Sequence, residues 1–134
     1  MYIVEKTFKI PMGHRLSKHK GLCQNFHGHN FVIKVEVGSE SLDTNDMVID
    51  FSDLKKVVNR LLEKFDHTML LNADDETKFG PFRVITFIGD PTAELLCKYF
   101  FEQISIALYP VRPSAKVLSV SIWESDDSKA MYKP

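Results

Sequence analysis

The sequence predicts an α+β fold in which a hairpin, two helices and a second hairpin follow one another as β-β-α-α-β-β. Apolar and polar residues alternate near both ends of the chain, whereas apolar residues recur at helical spacing in its centre. The expected antiparallel four-stranded sheet would carry two helices on one face. Two open edges and one uncovered face would need protection. Because self-association is the simplest protection, we expect an oligomer.

The first predicted hairpin surrounds a basic loop. Residues 2–10 are rich in β-branched and aromatic side chains and predict a strand, which Pro11 and Gly13 should break. The basic loop, residues 15–21, comes next, and its structural interpretation is a solvated surface segment. From Phe31 the chain alternates again, which predicts a second strand that ends near residue 37.

Two amphipathic helices should follow. The first runs from Phe51 to near Phe65, with Asp50 or Ser52 as its N-cap. The long segment at residues 74–89 has no clear period, and long segments of this kind are often functional or mobile.

The second helix should begin at Asp90-Pro91, an N-cap followed by proline in the first turn, and should end before Pro110. Residues 116–124 alternate and predict the third strand. A short last strand at residues 131–132 would complete the second hairpin.

Size and composition favour a single domain over residues 1–134 in a cytoplasmic, soluble protein. A net charge of −1 gives no bulk attraction to nucleic acid or to an anionic membrane. No apolar run approaches the roughly 18 residues of a membrane span, and residues 1–6 do not have the pattern of a secretory signal. Cys23 and Cys97 are too few for a disulfide scaffold, so a reducing compartment is expected.

Histidines concentrate around the first hairpin. If the second strand begins at His27, then His27 and His29 project from the same side, with Gly28 between them to let a backbone or ligand come close. His14 ends the preceding strand, and an antiparallel neighbour could bring it to this pair. Three imidazoles suit Zn²⁺ and leave a fourth position for water or substrate.

Cys23 leaves two interpretations open. If its sulfur binds the metal, the site is a closed, structural one. If its sulfur stands off the metal, the nearby cation favours the thiolate, which could act as a base or nucleophile. Spacing does not choose between the two, although the reducing compartment favours the reactive thiol.

Other candidates have ordinary structural interpretations beside the functional ones. Asp66-His67 could be a carboxylate that orients an imidazole, or a simple helix-end charge. Thr92 and Glu94 suit helix capping. Glu124, at a strand end, could be a solvated charge.

Taken together, these residues resemble the 6-pyruvoyltetrahydropterin synthase family over nearly the whole chain. The motifs are Phe8, His14-Arg15-Leu16, Cys23-x-x-x-His27-Gly28-His29, Met47-Val48-Ile49-Asp50-Phe51, Asp66-His67, Leu71-Asn72, Pro91-Thr92-x-Glu94 and Glu124. The three-residue gap after Cys23 is most similar to the 6-carboxytetrahydropterin synthases of the queuosine pathway. The chain departs from the family pattern at Pro11-Met12-Gly13, Asp46, Ser125 and the long 74–89 segment.

The resemblance implies a tunnelling-fold (T-fold) unit that assembles as trimers with closed barrels, two of which form a homo-hexamer. It implies zinc at His14, His27 and His29, and 7,8-dihydroneopterin triphosphate as the small-molecule substrate. Cys23 would be the general base.

Further roles follow from the same resemblance. Asp66-His67 would be a partner dyad for the base, supplied by a neighbouring subunit. Glu124 would hold the pterin ring and take part in proton transfer, and Thr92 would lie near that ring.

The expected activity is that of a zinc-dependent lyase that forms 6-carboxy-5,6,7,8-tetrahydropterin with release of acetaldehyde and triphosphate. One alternative is a 6-pyruvoyltetrahydropterin synthase or a related side-chain lyase. Another is a non-catalytic oligomer with structural zinc. From charge alone, Arg15, Lys18 and Lys20 are candidate contacts for the triphosphate.

Overall fold

A six-stranded sheet and two helices make up the fold in the computed structural model, which describes residues 1–77 and 79–134. The strands are β1 (Tyr2–His14), β2 (His27–Ser39), β3 (Met69–Asn72), β4 (Val84–Phe87), β5 (Lys116–Ser125) and β6 (Ser128–Tyr132); the helices are α1 (Phe51–Leu62) and α2 (Ala93–Leu108). The strand order is β4-β3-β1-β2-β5-β6. The predicted α+β class is therefore confirmed.

The four predicted strands form the antiparallel part of the sheet, and β3 and β4 are additional. β3 pairs in parallel with β1 through Gly13 and His14, and β4 pairs in parallel with β3. Each of these strands has only four residues, too few for alternation to distinguish a strand from a buried turn. The sheet is mixed for this reason, and part of the 74–89 segment is a strand.

β1 is longer than the sequence predicted, because Pro11 does not break it. β1 pairs with β2 continuously from Tyr2 opposite Ser39 to His14 opposite His27. The Pro11 carbonyl accepts a hydrogen bond from the His67 amide at 3.0 Å. Because a residue's N–H and C=O point to the same side of a strand, the missing proline N–H faces away from β2 and costs no bond of that pair.

The helix starts follow one prediction and contradict another. Asp50 caps α1, its carboxylate accepting from the Ser52 amide at 2.7 Å. The predicted cap at Asp90-Pro91 is wrong, because Thr92 caps α2 and accepts from the Leu95 amide at 3.2 Å. The Asp90 carboxylate is engaged elsewhere, as described below.

The hydrophobic core lies between the helices and one face of the sheet. β1, β2 and β5 each contribute alternate apolar side chains to it, among them Phe8, Ile33 and Ile122, and α2 contributes Phe100. In the described residues, neither helix is both long enough and apolar enough for a membrane crossing.

Candidate metal centre

Three histidines meet where β1 and β2 approach their connecting loop. His14 lies directly opposite His27 in the antiparallel register, and His29 follows two residues later on the same face. This face is the one that carries Phe31 and Ile33 into the core. The candidate centre thus lies at the end of the row of core-facing side chains on β2, where imidazoles take the place of apolar groups.

The imidazoles are close enough to share one ion, and backbone carbonyls orient two of them. One ligand atom from each histidine lies within 4.8 Å of the other two. Nδ1 of His14 donates to the Pro91 carbonyl at 2.8 Å, and Nδ1 of His27 donates to the Asn25 carbonyl at 2.7 Å. A proton on Nδ1 leaves the Nε2 lone pair available for a ligand.

The Nε2 atoms have the properties of metal donors. All three are buried and, within the part of the chain that the structure describes, none has a hydrogen-bond partner. Burial lowers the pKa of His14 and of His29 below the ordinary imidazole value, which keeps these rings neutral. Buried polar atoms normally find partners. The donor set therefore fits a metal ion.

Glu124 lies beside this cluster. Its Oε1 is 3.8 Å from Nε2 of His14, and its side chain is about one quarter exposed, at 27%. It also borders an open groove of about 480 Å³, together with Asn30, Lys34 and Trp123. Glu124 is placed to contact both the metal centre and a molecule bound in the groove.

Cys23 lies near the loop end of the hairpin but outside the cluster. Among the described residues, the group of mutually close ligand atoms contains the three histidines and not Cys23. Cys23 sits in a short 3-10 turn, Leu22–Gln24, and its side chain is partly exposed. Cys97 is different, since it is buried and burial raises its pKa to about 11, so it stays a neutral thiol.

Asp66 and His67 form a hydrogen-bonded pair in the turn after α1. Nδ1 of His67 donates to Oδ1 of Asp66 at 2.6 Å, and both side chains are exposed. His67 has a left-handed backbone with a φ of 56°, a conformation often held in place at functional sites. Together with His27 and His29, it lines an open groove of about 630 Å³.

The basic loop and Thr92 are partly engaged in local contacts. The Arg15 guanidinium forms an ion pair with the buried Asp75 carboxylate, while Lys18 and Lys20 are exposed. The Thr92 hydroxyl is the α2 cap. Contacts of the three cations with triphosphate, and of Thr92 with the pterin, stay predictions.

Sequence reasoning missed the groups that support the histidines. The Pro91 and Asn25 carbonyls orient two rings, and main-chain acceptors have no sequence signature. Asp90 was interpreted as a helix cap, but its carboxylate accepts hydrogen bonds from Ser17 and Asn72. These partners lie 73 and 18 residues away along the chain, so a local pattern does not reveal them.

The family profile for 6-pyruvoyl tetrahydropterin synthase matches residues 3–134, nearly the whole chain. The chain belongs to this family. A 6-carboxy-5,6,7,8-tetrahydropterin synthase from Aquifex aeolicus is 31% identical to it, over 97% of this chain and 96% of the relative. A protein of the same name from Haemophilus influenzae is 30% identical, over 99% of both chains.

Solved structures also match this family member. The 6-pyruvoyl tetrahydropterin synthase of Caenorhabditis elegans superposes with a TM-score of 0.75 at 27% identity, over 99% of this chain and 95% of that one. An uncharacterized protein from Wolinella succinogenes gives a TM-score of 0.81 at 22% identity, over 98% and 97% of the two chains. The second similarity concerns the fold alone. These matches confirm the T-fold expected from the resemblance.

Proposed function

We propose that this chain is a zinc-dependent lyase that converts 7,8-dihydroneopterin triphosphate to 6-carboxy-5,6,7,8-tetrahydropterin, releasing acetaldehyde and triphosphate, in queuosine biosynthesis. The three buried Nε2 atoms, which have no hydrogen-bond partner among residues 1–77 and 79–134, carry this proposal. The relatives named 6-carboxy-5,6,7,8-tetrahydropterin synthase support the choice of product.

His14, His27 and His29 would hold the zinc ion. Three imidazoles suit Zn²⁺ and are typical of sites with an open fourth position. When bound there, zinc would supply Lewis acidity that eases enolisation beside a developing carbonyl on the substrate side chain. The Pro91 and Asn25 carbonyls would keep two of the ligands in the required tautomer.

The remaining candidates would bind substrate and move protons. Cys23 would take a proton from the substrate side chain as general base, which its position outside the histidine cluster supports. The hydrogen bond of Asp66 to His67 suits a dyad that exchanges protons with this base. The Glu124 carboxylate would accept from the paired donors on the guanidine-like edge of the pterin.

We further propose a cytoplasmic homo-hexamer built from two trimers. The strands at the two edges of the sheet, β4 and β6, are available for pairing with other copies. The exposure of Asp66 and His67 suits a dyad that completes the site of a neighbouring subunit.

Product analysis tests the proposed reaction. The purified, zinc-loaded protein is incubated with 7,8-dihydroneopterin triphosphate, and products are followed by mass spectrometry. The 6-carboxy product with equimolar acetaldehyde is expected. A 6-pyruvoyl product would instead favour the sister reaction, which the similarity to the Caenorhabditis elegans enzyme supports. No turnover with zinc bound would favour a structural metal.

Replacement of Cys23 separates the base from a metal ligand. We expect Cys23→Ala to abolish turnover and to keep one zinc per chain. A loss of zinc together with stability would contradict the role of base and support the closed site. Cys97→Ala is the matched control, because the buried Cys97 thiol has no role in the proposed reaction.

Subunit complementation tests the shared site. Cys23→Ala and His67→Ala chains are each expected to be inactive, and mixed hexamers should regain activity if the base and dyad come from different subunits. Mixing after denaturation and refolding should restore up to about one quarter of wild-type turnover, the fraction of interfaces that pair two intact groups in a random assembly. No recovery in verified mixed oligomers would place both groups in one chain.

A further inference from the structure

Asp90 joins three separate segments beside the candidate metal centre. Its Oδ1 accepts from the Ser17 hydroxyl at 2.6 Å and from the Asn72 side-chain amide at 3.1 Å, and its Oδ2 accepts from the Lys18 backbone amide at 2.8 Å. The next residue, Pro91, provides the carbonyl that orients His14. Asp90 therefore connects the basic loop and the end of β3 to the support of a proposed ligand.

The loop that Asp90 holds also holds the backbone of Cys23. The Leu16 amide donates to the Cys23 carbonyl at 3.0 Å, and Leu16 directly precedes Ser17. At the other end of the Leu22–Gln24 turn, the Asn25 carbonyl accepts from His27. The turn is thus connected on one side to Asp90 and on the other to a proposed ligand.

The charge of Asp90 makes these contacts strong. Hydrogen bonds to an ionised carboxylate are shorter and stronger than bonds between neutral groups. Burial acts to raise the pKa of Asp90, but the hydrogen bonds from Ser17, Lys18 and Asn72 outweigh it and hold the pKa below the ordinary range. The carboxylate is consequently ionised at neutral pH and accepts from all three donors, two in the basic loop and one at the end of β3.

We propose that Asp90 is a positioning residue that fixes the location of the Cys23 thiol relative to the three histidines. The consequence for turnover rests on the proposed role of Cys23 as general base. The positional statement is separate, because it concerns the loop alone. Asp90 acts through Ser17 and Leu16 and does not itself contact the metal or the substrate.

The test measures the reactivity of Cys23 in the zinc-loaded protein. Alkylation by iodoacetamide at pH 7 is followed by mass spectrometry of the peptide that contains Cys23. In Asp90→Ala we expect zinc to stay at one per chain. The rate of alkylation of Cys23 should fall by about threefold or more, because the thiol is no longer held beside the zinc ion. If the chain has the proposed activity, kcat should fall about ten- to a hundredfold with KM within about twofold of wild type.

Three variants separate positioning from general destabilisation. Asp50→Ala is the matched control, since Asp50 is also an aspartate that accepts from a backbone amide beside a helix, but at α1. It should lower stability and leave the rate of Cys23 alkylation unchanged. Asp90→Asn and Ser17→Ala keep part of the network and should give intermediate rates of alkylation, and they serve as the test if Asp90→Ala does not fold.

An unchanged rate of Cys23 alkylation in folded Asp90→Ala, or in both milder variants if Asp90→Ala does not fold, would overturn the proposal. An equal decrease in Asp50→Ala would overturn it as well. If the wild-type protein does not turn over the pterin but the rate of alkylation falls only in the Asp90 and Ser17 variants, the proposed function fails while the positioning role is supported.

Discussion

The middle of the β1–β2 pair and its loop end lie on the same face of the sheet, but the first packs in the core and the second carries the candidate metal centre. In the middle, Phe8 lies opposite Ile33 and both are buried in the core. At the loop end, His14 lies opposite His27, and the buried Nε2 atoms have no partner among the described residues. An unsatisfied buried polar atom costs roughly 1–3 kcal/mol. The candidate centre thus extends the core face of the sheet with imidazole nitrogens that could hold a metal ion.

The largest effect should come from removing one donor at the loop end. We expect His29→Ala to lose most of its zinc and to lower turnover by about three orders of magnitude, because Lewis-acid stabilisation is worth several kcal/mol. The free energy of unfolding of the metal-free protein should change by about 1 kcal/mol or less. Zinc per chain is measured by atomic emission, and stability by urea denaturation. If His29→Ala kept all of its zinc, the loop end would not be the metal-binding region, and this prediction would be contradicted.

The opposite pattern is expected in the middle of the pair. Ile33 is fully buried, so Ile33→Ala should lower the free energy of unfolding of the metal-free protein by about 2–5 kcal/mol. Chains that remain folded should still bind one zinc each. Ile106→Ala is the control, since Ile106 is 69% exposed and its removal should cost little. An Ile33→Ala protein that is stable but lacks zinc would show that core packing and zinc binding are not independent in the two regions.

The pH dependence of stability should also belong to the loop end. The pKa values of His14 and His29 are lowered by burial, so the unfolded chain binds more protons than the folded chain just below pH 6.5. The free energy of unfolding of the metal-free protein should therefore be highest above about pH 6.5. It should fall as the pH drops through the pKa values that the two histidines have in the folded chain. The free energy of unfolding, measured by urea denaturation between pH 7 and pH 5, should change less with pH in His29→Ala than in Ile33→Ala. Equal changes with pH would contradict this assignment.

The smallest difference is expected between alanine substitutions at two glycines of β2. A Cβ at Gly28 would lie 3.1 Å from the Met12 carbonyl oxygen, which is backbone, whereas a Cβ at Gly38 would meet the ends of the Leu118 and Met1 side chains. Flexible side chains move more easily than a paired strand. Gly28→Ala should cost about 1–3 kcal/mol and weaken zinc binding, and Gly38→Ala should do less on both counts. Thermal unfolding and zinc titration measure the two effects.

Much of the candidate site could be predicted from local pattern. The alternation that places Phe31 and Ile33 in the core also places His27 and His29 on the same face, because side chains in a strand repeat every two residues. The Asp50 cap was predictable for a similar reason, since its hydrogen bond reaches only two residues along the chain.

Other features could not be predicted from local pattern. Pro11 indicated the end of a strand, yet β1 continues because the missing N–H faces away from β2. The four-residue strand β3 exists because the end of β1 offers it a partner at Gly13 and His14. Asp90 has the sequence context of a helix cap but binds Ser17, 73 residues away.

The sequence by itself determined the family, the α+β class and the three histidines, because residue identity and short-range periodicity carry that information. The tertiary structure decided the register that places His14 opposite His27, the carbonyls that orient both rings, and the Asp90 contacts beside them. These features depend on which distant segments meet when the chain closes on its core, and distances of that kind are set by packing and not by the neighbours of a residue in sequence.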